Sequence, residues 1–317
     1  MYPYKVILNG SLEFGTQRSY EAMMANLLKR TELYYKNDTV LKDPSHISEE
    51  TMTLTFNKFI KTDCVEKTWK NTLFLFRELK TFSVAGELNL WVFDGKGTMC
   101  CEETFKPQGD KAATVSYLNG LKCIKQNNEE KAIEFFNKAI DKYPQYTQAY
   151  AGRGQACYLL GRYEDALIDF SKSISLNNNA EAYHGRGVVR AAMKEYTDAT
   201  VDFQAAIDAT VGYQSIFWMS RRGKGESHMK LGEWTKAAFE FKFLSKKFFK
   251  EEDPNYPYRK QAWQNYGVSC QNSGDMVEAN KAFQQAHLIE DCVAVEDAIR
   301  SINLDTKSPR QSQVAAN

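Results

Sequence analysis

The fold is decided by residues 147–174, which read TQAYAGRGQACYLLGRYEDALIDFSKSI. Within this stretch Gly154 stands twelve residues before Ala166, which stands four residues before Phe170. The same spacing recurs along the chain at Gly120, Ala132 and Phe136, at Gly187, Ala199 and Phe203, at Gly225, Ala237 and Phe241, and at Gly267, Ala279 and Phe283. Successive alanines of this set lie 34, 33, 38 and 42 residues apart. One structural unit is therefore repeated five times, and the two longer intervals, of 38 and 42 residues, contain short insertions.

The spacing has a physical reason in a pair of packed helices. A glycine on the first helix and an alanine on the second allow a close approach, and the aromatic ring one turn later fills the gap between repeats. Gly161 stands in the turn between the two helices, where glycine adopts a positive φ without strain. The pattern therefore predicts helix-turn-helix pairs that stack into a solenoid.

These residues resemble the tetratricopeptide repeat, whose signature includes a Leu-Gly pair, an aromatic residue and Ala-x3-Phe. The resemblance implies an all-α solenoid over residues 113–290, with repeats at about 113–146, 147–179, 180–213, 218–251 and 260–291. The chain departs from the family pattern at the leucine before the packing glycine, where it carries Asn119, Arg153, Arg186, Lys224 and Tyr266. These departures leave the predicted fold intact.

In this family the first helix of each repeat lines a concave groove that binds an extended peptide or a helix of a partner. Counted from each packing glycine, the predicted groove residues are Tyr117, Leu121, Gln148, Gln155, Tyr158, His184, Val188, Arg222, Glu226, Gln264, Asn265 and Ser269. The amide side chains among them can both donate to and accept from a peptide backbone. A solvated face without a ligand explains the same residues equally well.

One type of partner is excluded by inspection. Chaperone-adaptor members of the family grip a C-terminal carboxylate with Lys, Asn and Arg side chains on their first three repeats. The matching positions here hold Tyr117, Leu121, Gly152, Glu181 and Gly185. The clamp is absent, so the acidic tail of a chaperone is not an expected partner.

Residues 1–106 do not follow the repeat and match no family pattern. Tyr4, Val6 and Leu8 alternate as in a strand, and later stretches follow strand and helix periods in the order β-α-β-α-β-β. The segment 94–97 reads Asp-Gly-Lys-Gly and is typical of a hairpin turn. We therefore expect a small α+β domain with helices on one face of a mostly antiparallel sheet, ending near the proline and glycine of residues 107–110.

The ends and insertions complete the predicted organisation. An amphipathic pattern over residues 292–304 predicts a helix that caps the last repeat, and the small polar residues 305–317 predict a disordered tail. The insertions before the fourth and fifth repeats, Thr210–Phe217 and Phe248–Tyr258, carry several aromatic residues. They are either elongated loops that present a second surface or helix extensions.

Composition and motifs exclude several classes of function. The net charge of +1 and the lack of a long basic cluster argue against a nucleic acid or a membrane as partner. The amino terminus has no secretory pattern and no window is apolar enough to span a bilayer, so we expect a cytoplasmic protein. The motifs of nucleotide, calcium and hydrolase sites are missing, and the histidines lack partners at metal-binding spacing. We therefore expect no cofactor, no metal and no catalytic residues.

The sequence favours a non-enzymatic scaffold or adaptor that binds a protein or extended peptide in the groove, while the amino-terminal domain supplies a second contact or dimerises. The alternative is an enzyme whose active site lies in residues 1–106 and whose repeats recruit substrate. Its candidate acid-base groups are Glu87, Asp94, Glu102 and Glu103. A third interpretation, in which Trp91 or Phe93 stacks on nucleic acid, lacks a basic surface to support it.

Overall fold

A computed structural model describes residues 3–41, 44–107 and 111–289, with the side chain of Pro44 left out. The predicted capping helix at 292–304 and the predicted tail at 305–317 lie outside these ranges. The described residues form two compact units that divide after Ser220. The first unit contains the amino-terminal domain together with three repeats, so the separation at residues 107–112 stays a prediction.

The amino-terminal domain is an antiparallel sheet with two helices, as predicted, but the sheet has five strands and not four because the two-residue β2 is added. Its strands are β1 Tyr4–Glu13, β2 Ile47–Ser48, β3 Thr53–Cys64, β4 Ala85–Phe93 and β5 Met99–Phe105, in the spatial order β2-β3-β1-β4-β5. Its helices are α1 Gln17–Lys29, which continues as a π-helical turn Arg30–Tyr34, and α2 Glu66–Leu79. The sequential hairpin from β4 to β5 turns at Gly97, whose φ is +81°.

One face of this sheet packs against both helices. Val6, Leu8 and Leu12 of β1 join Leu88, Leu90 and Val92 of β4 in one core with Met23, Leu27, Leu73 and Phe76 of the helices. Successive side chains of a strand point to opposite faces. The alternate residues of β1, Ile7, Asn9, Ser11 and Glu13, are nevertheless also buried. The second face of the sheet is therefore covered as well.

The remaining helices form the predicted pairs. In the first unit they are α3 Ala112–Lys125 with α4 Glu129–Lys142, α5 Thr147–Leu159 with α6 Tyr163–Leu176, and α7 Ala180–Ala192 with α8 Tyr196–Asp208. Helix α9 Ser215–Lys230 begins before the division of the two units and pairs in sequence with α10 Trp234–Lys246. The second unit continues with α11 Arg259–Asn272 and with α12, which is helical over residues 276–289. The fold is an α+β domain followed by an all-α solenoid of helix pairs.

The packing glycines act as the spacing predicted. A β-carbon built on Gly120 of α3 or Gly152 of α5 would lie 2.6 or 2.7 Å from the ring of Phe136. Phe136 is fully buried and lies on α4, between those two first helices. The absence of side chains at both glycines is therefore what lets one ring join consecutive repeats.

Buried ion pairs explain the departure from the family's leucine. Arg153 pairs with Asp169 at 2.6 Å, and Arg186 pairs with Asp202 at 2.7 Å. In the fourth repeat Lys224 pairs with Glu240 at 2.8 Å. Each cation stands sixteen residues before its acid, on the first and second helix of one repeat. A carboxylate on the second helix therefore replaces apolar contact wherever the leucine position carries a cation.

Candidate partner-binding groove

The first helices of the first unit form a continuous wall. Contacts between α3 and α5 and between α5 and α7 are more extensive than those between successive second helices. Because the first helices approach one another more closely, their free sides line the inner surface of this part of the solenoid. The groove residues predicted on α3, α5 and α7 belong to these helices, and their role in a ligand site stays a prediction.

Tyr117 and Leu121 lie at the start of the wall and are half-buried. The ring of Tyr117 packs 5.1 Å from that of Tyr146 and 6.0 Å from that of Phe136, measured between centroids. Burial, followed by the negative charge of Glu181, raises the pKa of Tyr117 well above its ordinary value. The neutral hydroxyl of Tyr117 therefore lies among acidic groups on the wall.

The three groove residues predicted on α5 have different surroundings. Gln148 is half-buried, and its Oε1 accepts a hydrogen bond from the backbone N–H of Gly86 at 3.3 Å. Gln155 is exposed. Tyr158 is half-buried and packs its ring 5.9 Å from Tyr163, against the core of its own repeat. Gln155 therefore offers the most accessible amide of the three.

His184 and Val188 continue the wall on α7 and are half-buried. The His184 ring lies 5.5 Å from Phe203, and its Nδ1 lies 3.1 Å from Ser220 Oγ. The histidine is therefore tied to the scaffold on both sides while part of its ring stays accessible.

The remaining predicted groove residues belong to the second unit. Arg222 places its guanidinium 3.5 Å from the ring centroid of Tyr258, a close cation–π contact. Burial raises the pKa of the Glu226 carboxyl, although the charges of Arg222 and Lys230 oppose this. Gln264 is exposed and Asn265 half-buried.

Ser269 does not have the accessibility expected of a groove residue. Its side chain has no exposed surface, and its hydroxyl donates to the carbonyl oxygen of Asn265 at 2.7 Å. A small hydroxyl one turn from Asn265 satisfies itself within the helix and packs inward. The structure therefore removes Ser269 from the set that a ligand can reach.

The sheet face that the helices of the domain leave uncovered docks on the turns between repeats. Glu13 at the end of β1 is buried and accepts hydrogen bonds from Thr147 Oγ1 at 2.9 Å and Tyr143 Oη at 3.3 Å. Asn177, which follows α6, donates to Ser11 Oγ at 3.0 Å. Polar residues that alternate along β1 are therefore the contact surface for the first two inter-repeat turns.

The insertion before the fourth repeat completes this docking. Asn9 Nδ2 donates to the carbonyl oxygen of Ala209 at 3.2 Å and to Gln214 Oε1 at 3.0 Å. Tyr213 lies against two rings of β4, 5.9 Å from Trp91 and 5.0 Å from Phe93 between centroids. The sequence had left open whether the segment was a loop or a helix extension. It includes a turn that binds the amino-terminal domain.

The docked domain also brings charge to the wall. Glu87 of β4 pairs with Lys106 at 2.8 Å. Glu181 lies in the first turn of α7 and is exposed. Protein atoms nevertheless surround its carboxyl, and the resulting loss of hydration raises the pKa of this carboxyl. The charge of Glu87 raises that pKa further, whereas Lys106 lowers it. The charges of Glu181 and Glu87 both raise the pKa of Tyr117, after burial, so a carboxylate from each domain acts on this part of the wall.

The acid-base candidates of the enzymatic alternative have structural partners. Glu103 forms a two-pronged pair with Arg77, and Glu102 accepts from the Trp91 indole at 3.1 Å. Asp94 accepts from backbone N–H groups of the β4–β5 turn. Among the described residues no three metal-ligating side chains are gathered. Over the same ranges, no helix is long and apolar enough to cross a bilayer.

The model of the tetratricopeptide repeat family matches residues 147–180. These residues include the pair α5 and α6, in which a β-carbon built on Gly154 would lie 3.3 Å from the ring of Phe170. The chain is a tetratricopeptide repeat protein. Residues 1–106 carry no match to that family model.

One curated protein and two solved structures are similar to parts of this tetratricopeptide repeat protein. Uncharacterized protein MJ0572 of Methanocaldococcus jannaschii is 35% identical over 69 residues, which are 22% of this chain and 80% of the relative. The crystal structure of MamA is 22% identical, with a TM-score of 0.47 over 55% of this chain and 96% of that one. The structure of PilF of Pseudomonas aeruginosa is 14% identical, with a TM-score of 0.49 over 56% and 77%. Tetratricopeptide repeats are in general scaffolds for protein interaction.

Proposed function

We propose that this tetratricopeptide repeat protein is a non-enzymatic scaffold or adaptor that holds an extended peptide or a partner segment along α3, α5 and α7. The docked amino-terminal domain supplies the second contact. Support comes from the accessible polar groups of the wall. Gln155 is exposed, and Gln148 and His184 keep part of their side chains accessible. Such groups hydrogen-bond to a main chain without demanding one side-chain sequence.

The observation that carries the proposal is the negative charge that Glu181 of the repeats and Glu87 of the sheet bring to the wall. Burial raises the pKa of the Glu181 carboxyl, and the like charge of Glu87 raises it further. Lys106 is bonded to Glu87, so the pair keeps an excess of negative charge. A Lys or Arg side chain of a partner relieves this repulsion. The proposed ligand is therefore a segment with a basic residue.

The same charges distinguish between partners. A chaperone's C-terminal carboxylate and a nucleic-acid phosphate are both repelled by Glu181 and Glu87, and the proposal includes neither. It also assigns no membrane lipid and no cofactor to the wall. The proposed setting is the cytoplasm, where the buried thiols of Cys123, Cys157 and Cys270 stay reduced.

A photo-crosslinking amino acid at Gln155 tests the proposal in the full-length chain. We expect it to form a discrete adduct with a partner in native lysate, because Gln155 is exposed on the wall. The matched control carries the same group at Lys172, which is exposed on α6. Adding Glu181→Lys should reduce the Gln155 adduct roughly tenfold or more, since it removes the attraction for a basic residue. Equal adducts at both positions, or no effect of Glu181→Lys, would contradict the proposal.

A further inference from the structure

Helix α10 exposes two aromatic rings between two lysines. Phe239 is 56% exposed and Phe243 47% exposed, and their ring centroids lie 5.0 Å apart. Lys236 and Lys246 are also exposed, and Lys236 additionally pairs with Glu233 at 2.8 Å. Positions three, four and three residues apart fall on one side of a helix. The four side chains therefore make one stripe in the order Lys, Phe, Phe, Lys.

The repeat fold does not require this stripe. Phe241, one turn after the repeat's alanine, is the ring that fills the core, and it is fully buried. At the positions equivalent to Phe239 and Phe243, helix α4 carries Glu134 and Lys138 in the same architecture. Adjacent exposed aromatic rings on one helix face are typical of an interaction surface. The guanidinium of Arg221 lies 5.0 Å from the centroid of the Phe243 ring. About half of the surface of Phe239 and of Phe243 nevertheless stays exposed.

Helix α8 carries the complementary pattern at the same repeat positions. Asp198 and Asp208 correspond to Lys236 and Lys246, and both aspartates are exposed. Val201 corresponds to Phe239 and is 62% exposed, while Ala205 corresponds to Phe243. The stripe on α8 therefore reads Asp, Val, Ala, Asp, with acids at the same ten-residue separation as the lysines of α10.

We propose that α10 of one copy of the chain packs antiparallel against α8 of a second copy. Lys246 then faces Asp198 of the second copy, and Lys236 faces its Asp208. Between these pairs the large Phe243 lies on Val201, and Phe239 lies on the small Ala205. Antiparallel packing also brings opposite ends of the two helix dipoles together.

The matched register favours a second copy over an anionic lipid surface. Lysines beside exposed phenylalanines are also found where helices lie on membranes. A lipid surface, however, has no register, and it gives no reason for two acids at the corresponding positions of α8. Small side chains opposite large ones, between matching charge pairs, fit a protein surface.

Sedimentation velocity of the full-length chain over a range of concentration tests the contact. We expect the wild type to self-associate, and both Lys236→Glu/Lys246→Glu and Asp198→Lys/Asp208→Lys to raise the dissociation constant by roughly tenfold or more. Mixing the two variants should restore association, because the charge pairs re-form with reversed sign. The control Lys131→Glu/Asp141→Lys changes the equivalent positions of α4 and should leave association unchanged.

Three results would overturn the proposal. They are a wild type that stays monomeric at every concentration, a mixture that fails to restore association, and a control that matches the α10 variant. If the lysine variant instead loses binding to phosphatidylserine vesicles while sedimentation is unchanged, the stripe binds lipid. Thermal melting followed by circular dichroism checks each variant, and the single changes Lys246→Glu and Asp198→Lys replace any pair that fails to fold.

Discussion

Replacing Asp202 with alanine is expected to lower the free energy of unfolding by about 3 kcal/mol or more. The Asp202 side chain is 2% exposed and bonds to Arg186 at 2.7 Å and Arg190 at 2.9 Å. Its removal leaves the Arg186 guanidinium, which is 18% exposed, without its charge partner between α7 and α8. Chemical denaturation of the full-length chain measures the loss.

Two further variants distinguish the effect of losing a buried ion pair from the effect of losing any ion pair. Asp165→Ala breaks the exposed pair with Arg162 and should cost much less stability than Asp202→Ala, because water screens that pair. Adding Arg186→Leu to Asp202→Ala restores the family's usual leucine and should recover part of the stability. An Asp202→Ala loss no larger than that of Asp165→Ala would show that the buried pair does not hold the repeat together.

The stability of the first unit is expected to fall as pH rises from about 4.5 to about 7. Burial raises the pKa of Glu13 from 4.5 to about 7, although the hydrogen bonds from Thr147 and Tyr143 oppose this. The folded chain therefore holds the proton that the unfolded chain releases at lower pH. The contribution of Glu13 to the free energy of unfolding is fully present below the pKa that Glu13 has in the unfolded chain. It is lost as the pH rises through the pKa of Glu13 in the folded chain, a change of about 3 kcal/mol. Melting temperatures across this range measure it.

Glu13→Gln should flatten this part of the pH profile, because the amide stays neutral beside Thr147 and Tyr143. The matched change Glu134→Gln alters an exposed carboxyl of α4 and should leave the slope as it is in the wild type. If the slope persists in Glu13→Gln, another group is responsible and the docked position of β1 loses this support.

The repeat fold could be predicted because the residues that determine it lie close together along the chain. The distance at which two helices pack requires the residue types found at Gly120, Ala132 and Phe136. The structure shows the predicted close approach at Gly120. The sequence also carries a signal for the ion pairs. A basic residue stands sixteen positions before an acidic residue at Arg153 and Asp169, and the same pattern occurs in two later repeats. The pattern becomes clear once the helix pairs are assigned.

The contact between the amino-terminal domain and the repeats could not be predicted from local sequence patterns. Asn9, Ser11 and Glu13 alternate with apolar residues, and alternation normally marks a solvated sheet face. Asn177, the partner of Ser11, lies 166 residues away, and Gln214, a partner of Asn9, lies 205 residues away; neither shares a periodic pattern with β1. Burial of polar residues by distant partners is a tertiary effect that local propensity does not encode.

The predicted groove residues differ in how accessible the structure leaves them. Counting from the packing glycine selected Gln155, which is exposed, and His184 and Tyr158, which are half-buried. It also selected Ser269, which is fully buried and bonds within its own helix. Neighbouring positions on a helix differ by about 100° in direction, so a small error in the assumed direction exchanges an accessible residue for a buried one.

Amide hydrogen exchange of the full-length chain, with and without the purified partner identified by crosslinking at Gln155, locates the partner on the repeats. Binding along the wall should slow exchange in α3, α5 and α7 and in the start of β4 around Glu87, and should change α4 and α6 little. Protection confined to α4, α6 and α8, with α5 and α7 unchanged, would place the partner on the other side of the repeats and contradict the account.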